Sequence, residues 1–523
     1  MNRTLRAMLA GTATVLCAGL AGCTDPTVSP SSTVTEENIF KDPASYQAFL
    51  AKIYAGFSTT GQQGPAGNKD IQTISDEGFS QYMRLYWEHQ ELSSDEAVLA
   101  WGDGAVQEFN GQAWGSSNDF LGAMFARIYL EVGWTNEFLK QTTDGVLSER
   151  GVSAGLKAQI QQFRAEARFL RALAYWHGVD LFGPIPVVTV NNPAPPKQNT
   201  RQEVYDFIVS ELIAIQPDLP SAGAGTYGRA TKEAASMLLA KVYMNAEVYT
   251  GTPHYDLALA ELSNVIAGPF SLDPSYDHLF QADNHTSPEI IFPIVQDGIH
   301  SKSYGGTTFL IHASCGNAMD PADYGVDGCW WGLRLKPEAY NRSVGDPRAA
   351  FFYNDTTTQS IAIASLTNFA NGIPAPKFTN IKSTGGQGSD AAFPDTDFPM
   401  FRLGDAYLMY AEAVLRGGGG NSGTALGYVN ALRQRAYGDN SGDITLGQMD
   451  LQFILDERGR ELLWEGHRRT DLVRYGQFTG GTYIWSWKGN VQAGTSTPDH
   501  LNLYPIPASQ LSANPNLTQN PGY

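Results

Sequence analysis

The residues best suited to chemistry are concentrated in one stretch, ILDERGRELLWEGHRRTDLVRYGQF, residues 454–478. At 100° per residue of an α-helix, Arg458, Glu461, Glu465 and Arg468 share a stripe with Ile454 and Leu472 at its ends. A carboxylate held there must be paired or neutral. A neutral one could serve as a general acid with a raised pKa. A paired one would lock a helix crossing. Interleaved opposite charges predict pairing. Glu166 poses the same question beside Leu170, Leu173 and His177, and the same answer is expected.

Metal chemistry has less support. There is no HExxH, and no two histidines have ligand spacing. Asp320, Asp323 and Asp327 lie close together in a Gly-rich stretch and could hold calcium, which prefers several oxygen ligands. Their spacing is not that of an EF-hand, and aspartates also form turns. Gly417–Gly420 follows a helix and not a strand, so it reads as a linker and not a phosphate cradle. No catalytic residue, metal site or cofactor is expected.

Aromatic residues in loops are the better candidates. Sugars present apolar C–H faces that stack on flat rings, with hydroxyls that need polar partners. Trp101 sits in VLAWGDG, and Tyr304, Tyr324, Trp330 and Trp331 lie in a long irregular region. Cys315 and Cys329 share that region. A disulfide between them suits an oxidising compartment and would stabilise the fold by roughly 3 kcal/mol in the chain-entropy model; two buried free thiols are the alternative. A bridge would pin a platform of rings and lower its ordering cost. Extended backbone would point Trp330 and Trp331 opposite ways, so one of them should pack inward.

The elements that position these residues read as mainly helical. Tyr46, Phe49, Ile53 and Phe57 form one apolar stripe, and residues 119–140 form a long helix. Residues 152–181 make the strongest case, ending before Gly183-Pro184. Thr200 and Glu203 predict a capping box for a helix to Ile215. Segments 231–249 with 254–267, and 402–416 with 422–437, read as antiparallel pairs, and a last helical stretch covers about 449–475. The copies ARFLRALAYW, ASMLLAKVYM and AYLMYAEAVL suggest a degenerate tetratricopeptide-like repeat. From about 270 to 400 the pattern fades into Gly, Pro, Asp and aromatics, with strand-like runs such as EIIFPIV. Irregular insertions of that length are often functional.

The N-terminus carries its own signal. Arg3 and Arg6 precede an uncharged run from Ala7 to Leu20, too short to span a bilayer comfortably. It ends in Leu20-Ala21-Gly22-Cys23, which matches the bacterial lipobox, so Cys23 is the expected lipid attachment point. The Ser-, Thr- and Pro-rich stretch after it reads as a tether. The formal charge of −18 over 523 residues makes nucleic acid an improbable partner. The expected organisation is a signal peptide (1–22), a lipidated tether (23–38), an N-terminal helical region (39–270), a loop-rich ligand-binding insertion (271–400) and a C-terminal helical region (401–523).

Segments in this order resemble the SusD/RagB family of outer-membrane nutrient-binding lipoproteins. They are QQFRAEARFLRALAYWHGVDLFGPIPVV, TKEAASMLLAKVYMNAEVYTG, FRLGDAYLMYAEAVLRGG and the charged stretch from Ile454, followed by the tail LYPIPASQLSANPNLTQNPGY. The resemblance implies a tetratricopeptide-like helical scaffold and a ligand-facing loop around Trp101. It implies capture of nutrient, usually oligosaccharide, sometimes peptide, and delivery to a SusC-like TonB-dependent transporter. It implies an anchored position on the outer membrane, facing outside, and no catalysis. Three readings stand against a glycan-binding member: a peptide-binding member, a surface hydrolase, and a helical-repeat assembly scaffold. A glycoside hydrolase would need two carboxylates about 5–9 Å apart across a cleft.

Overall fold

Local capping starts the main helices where the sequence predicts. The computed structural model describes residues 39–523 apart from 62, 66–68, 73, 75, 76 and 356; the expected signal peptide, Cys23 and the tether lie outside the described residues. The first helices are α1 (Ala44–Ala55), α2 (Tyr82–Glu91) and α3 (Gly104–Asn110). Asn118 accepts from the N–H groups of Phe120 and Leu121 and opens α4 (Asp119–Gln141). Ser153 caps α5 (Ala154–Leu181), and Thr200 with Glu203 forms the predicted capping box of α6 (Arg201–Ile215). Thr231 caps α7 (Lys232–Met244), which pairs with α8 (Tyr255–Ile266). After a loop-rich stretch come α11 (Leu403–Leu415) and α12 (Ser422–Tyr437).

The helices stack in sequence: α4 on α5, α5 on α6, α7 on α8, α8 on α11, α11 on α12. Helix α5 is the centre. From Ala165 to Leu181 every residue but Arg168 is buried. Burying Phe169, Leu170, Leu173 and Leu181 stabilises the fold by ~1.5–3 kcal/mol each. Ala167, Ala172 and Ala174 are fully buried and let neighbouring helices approach closely; a larger side chain at any of them would cost ~1–3 kcal/mol. Residues Tyr46–Tyr523 form one unit.

The last helical stretch is a correction. It is not one helix but two, α13 (Leu451–Glu461) and α14 (Arg468–Arg474). Trp464 (φ +61°) and Gly466 (φ +76°) take left-handed backbone between them. The buried Glu91 carboxylate accepts the N–H groups of Gly466 (2.7 Å) and His467 (3.0 Å), and the Trp87 indole donates to the Trp464 carbonyl at 2.9 Å. These bonds replace the intrahelical ones that continuity would have supplied.

The stretch 270–400 is also more ordered than expected. It contains strand β2 (Ile290–Ile294), α9 (Gly306–Ser314), β3 (Leu333–Leu335) and α10 (Pro337–Ser343). Strand β1 (Ala97–Leu99) pairs antiparallel with β3, Leu99 opposite Leu333. Strand β2 pairs antiparallel with β4 (Phe398–Arg402), Ile294 opposite Phe398. All four strands are buried, which is why they read as apolar runs without alternation.

Candidate ligand-binding site

The β1–β3 pairing brings Trp101, just past β1, against Trp330 and Trp331, just before β3. The Trp101 indole N–H donates to the Trp331 carbonyl at 2.7 Å, and Gln107 from α3 donates to the Trp101 carbonyl at 2.6 Å. The Trp101 ring lies 6.4 Å from Trp330, and Trp330 lies 6.2 Å from Tyr304, which is 39% exposed. Tyr304 lies just before α9, and Trp330, from a different segment, packs against His312 near the end of that helix. Three predicted rings therefore form a row, Tyr304–Trp330–Trp101, each at least partly exposed.

The row is held from behind. His312 of α9 is buried and stacks on Trp330 at 4.7 Å with 20° between planes. Its Nδ1–H donates to the Gly328 carbonyl at 2.6 Å, and burial lowers the imidazole pKa. Phe309, one helical turn earlier, meets Trp101 edge-on at 5.8 Å. The Arg84 guanidinium lies over both Phe309 (4.4 Å) and Trp101 (5.3 Å). Arg84, Gln107, Phe309 and His312 were not among the expected residues. The spacing of Phe309 and His312 in GGTTFLIHAS, three apart on one helical face, is the signal that could have found the last two.

The other two predicted rings go elsewhere. Trp331 takes left-handed backbone (φ +55°), so the tandem pair is not extended, but its members still part. Its ring covers Gly316, where a Cβ would fall 2.3 Å from Cγ, and meets Phe369 at 5.7 Å; its indole N–H is buried without a partner. Trp331 stays half-buried, as Trp101 and Trp330 are, but its ring faces Gly316 and Phe369 and is not part of the row. Tyr324 lines a separate cleft with Tyr353 and Phe351. The bridge is formed: Cys315 pairs with Cys329, Cα–Cα 5.2 Å, directly before Trp330. Asp320, Asp323 and Asp327 do not converge; Asp320 caps a short turn at Ala322. Among the described residues no group of three or more His, Cys, Asp or Glu side chains is placed to hold a metal ion.

The carboxylate stripe is consumed by ion pairs. Arg402 of β4 reaches Glu289 and Glu461 at 2.8 Å and Glu465 at 2.6 Å, all fully or nearly fully buried. Arg348 reaches Glu457 and Glu461 at 2.8 Å, Lys377 reaches Glu465 at 2.7 Å, and Arg435 bonds Glu289 and Glu461. Arg458 joins Asp405 and Asp471, and Arg468 joins Asp95. Burial alone would raise the Glu461 carboxyl, but Arg435, Arg402 and Arg348 hold it well below the usual carboxylate range. Glu166 is paired with Arg229 and accepts from the Tyr54 hydroxyl at 2.7 Å. Carboxylates so paired are poor general acids; they brace helix crossings.

Residues 300–523 match the family model described as the SusD family, and residues 33–244 one described as starch-binding associating with outer membrane. The starch-binding protein SusD of Bacteroides thetaiotaomicron is 33% identical over 97% of each chain. The chain belongs to the SusD family. The SusD-like protein P2 of Formosa agariphila is 25% identical over 97% of this chain and 98% of its own. Among solved structures, a SusD superfamily protein from Bacteroides thetaiotaomicron matches at a TM-score of 0.70 with 20% identity, covering 92% of this chain and 99% of that one. The surface glycan-binding protein A of the same organism, solved with laminarihexaose, matches at 0.68 with 20% identity, covering 91% and 98%. The mainly helical SusD-family scaffold expected from the sequence is thus the observed one.

Proposed function

We propose that this SusD-family chain is a glycan-binding lipoprotein of the outer membrane that captures oligosaccharide without altering it and passes it to a SusC-like TonB-dependent transporter. The observation that carries the reading is the partly exposed row Tyr304–Trp330–Trp101, backed by His312, Phe309 and Arg84. Flat rings offset along a row match successive sugar faces, and a row stiffened from behind loses little freedom on binding. The identity to a starch-binding relative points the same way.

A non-catalytic role is supported by the pairing of the signature carboxylates with arginine and lysine. The reading places attachment at Cys23, where the lipobox ends; among the described residues no helix is long and apolar enough to cross a membrane. The decisive experiment is native electrophoresis through gels containing starch, laminarin or no polymer, with a casein-peptide mixture as competitor. Slower migration with a glycan, undisturbed by peptide, supports the reading; unchanged migration in every glycan, or products released from the polymer, sinks it.

A further inference from the structure

A second concavity lies apart from the ring row, a cleft of about 360 Å³ in the size range of small-ligand pockets. Tyr324, Phe351 and Tyr353 give it three half-buried rings, and Asp277, Gln281 and Thr379 add polar groups. The side chains of Asp277, Gln281, Tyr324, Tyr353 and Thr379 make no hydrogen bond or ion pair with any described residue. Asp277 is exposed and the other four are half-buried, so five unpaired donors and acceptors stand open to a bound molecule in one hollow with three rings.

The walls are fixed. Tyr324 sits within the loop closed by Cys315–Cys329. The Asn380 N–H donates to the Tyr324 carbonyl at 2.8 Å, and its side-chain amide donates to Gly325 (2.8 Å) and Asp390 (2.9 Å). The same disulfide loop thus carries Tyr324 into this cleft and delivers Trp330 to the ring row. Lys377, in the cleft floor, offers no free charge: its ammonium bonds Glu465 and the Leu463 carbonyl at 2.7 Å each and lies 4.0 Å from the Phe280 ring centre. The uncommitted charge is the Asp277 carboxylate, which repels anions and accepts from hydroxyls.

We propose that this cleft is a second glycan subsite, selective for neutral sugars, separate from the Tyr304–Trp330–Trp101 row. It rests on the glycan-binding reading above. Rings would cover a sugar's C–H face, Asp277 would accept from its hydroxyls, and Gln281 would both donate and accept. Uronates and sulfated sugars would be excluded by Asp277.

The test uses the full chain, Trp330→Ala, a Gln281→Ala/Tyr353→Ala double variant, and the combination of all three. Native electrophoresis through starch and laminarin would be joined by hydrogen–deuterium exchange with saturating maltoheptaose or laminarihexaose. We expect Trp330→Ala to keep part of the retardation, and the combined variant to lose roughly tenfold more affinity. Backbone amides of 351–353 and 379 should be protected by the oligosaccharide in wild type and in Trp330→Ala, a readout independent of how the variants fold. Polygalacturonate should give no such protection. Wild-type retardation with no protection at 351–353 and no effect of the double variant would overturn the second subsite alone. Absence of wild-type retardation and of any protection would overturn the glycan-binding reading and this inference with it.

Discussion

The indole N–H of Trp101 donates to the carbonyl oxygen of Trp331 across 2.7 Å, joining positions 230 residues apart. Gly332 follows with φ +115°, and a Cβ there would fall 2.8 Å from the Trp101 nitrogen. The bond orients a ring that also lies 6.4 Å from Trp330. Trp101→Ala should therefore weaken glycan retention by ~1–3 kcal/mol through lost stacking and lower stability by about 1 kcal/mol through the lost hydrogen bond. Trp101→Phe should recover part of the retention and none of that bond. Affinity electrophoresis with thermal melting separates the two effects; equal retention in wild type and alanine variant would remove Trp101 from the site.

Cys315 and Cys329 close a loop that holds Tyr324 and ends beside Trp330. Replacing both by serine should cost roughly 3 kcal/mol in the chain-entropy model. It should also loosen Trp330 against His312, so retention falls even at temperatures where the variant is folded. A reductant titration of wild type, followed by melting and electrophoresis, should reproduce both losses. Loss of stability with retention intact would mean that the bridge braces the fold and not the ring row.

Arg402 is shared by Glu289, Glu461 and Glu465. Arg402→Met should cost about 3–5 kcal/mol, because the carboxylates stay buried with less compensation. Urea unfolding measures this directly. A change below about 1 kcal/mol would show that the network is a bystander of the packing.

Asp397 is buried, accepts from the Tyr227 hydroxyl at 2.6 Å and the Gln296 N–H at 2.7 Å, and has Asp395 and Asp297 near it. Burial first, then the neighbouring aspartates, raise it to about 7. A carboxyl raised on folding binds its proton more tightly in the native state. Its contribution is complete below the unfolded value of about 4 and is lost as pH rises to about 7. His89 and His467, lowered by burial to about 3, slope oppositely below their unfolded value. The clean measurement is therefore a difference. Asp397→Asn should gain stability relative to wild type between about pH 4 and pH 7 and hold that gain above. A pH-independent difference would contradict the assignment.

The lipobox ending at Cys23 predicts that Cys23→Ala leaves the body unanchored. Fractionation should move the variant from the membrane pellet to the soluble fraction, and fatty-acid labelling should be lost. Membrane association without label would place the attachment elsewhere on the protein.

Much of the scaffold was legible locally. Thr200 with Glu203, the Ser153 cap and the Gly183-Pro184 stop act within a few residues, so the ends of α5 and α6 could be read from the chain. The pairing of the charged stripe was legible in kind, because alternating charges leave no other low-energy state in an apolar setting. Its partners were not: Glu289, Arg348, Lys377 and Arg402 come from distant segments that only packing brings together.

By itself, the sequence determined helices α1, α4 to α8, α11 and α12, where the lipid attachment point is expected, that the signature carboxylates must find cations, and which rings were worth watching. Tertiary structure decided how those rings divide. The His312 carbonyl accepts from the N–H groups of both Trp330 and Trp331, and the two rings part, the second meeting Phe369 edge-on and the first lying beside Tyr304. The disulfide loop carries Tyr324 into a different cleft, and Glu91 breaks the last helix from more than 370 residues away. Periodicity and capping act over a few residues and can be read from the chain, whereas a hydrogen bond between remote segments forms only after the core has set their distance.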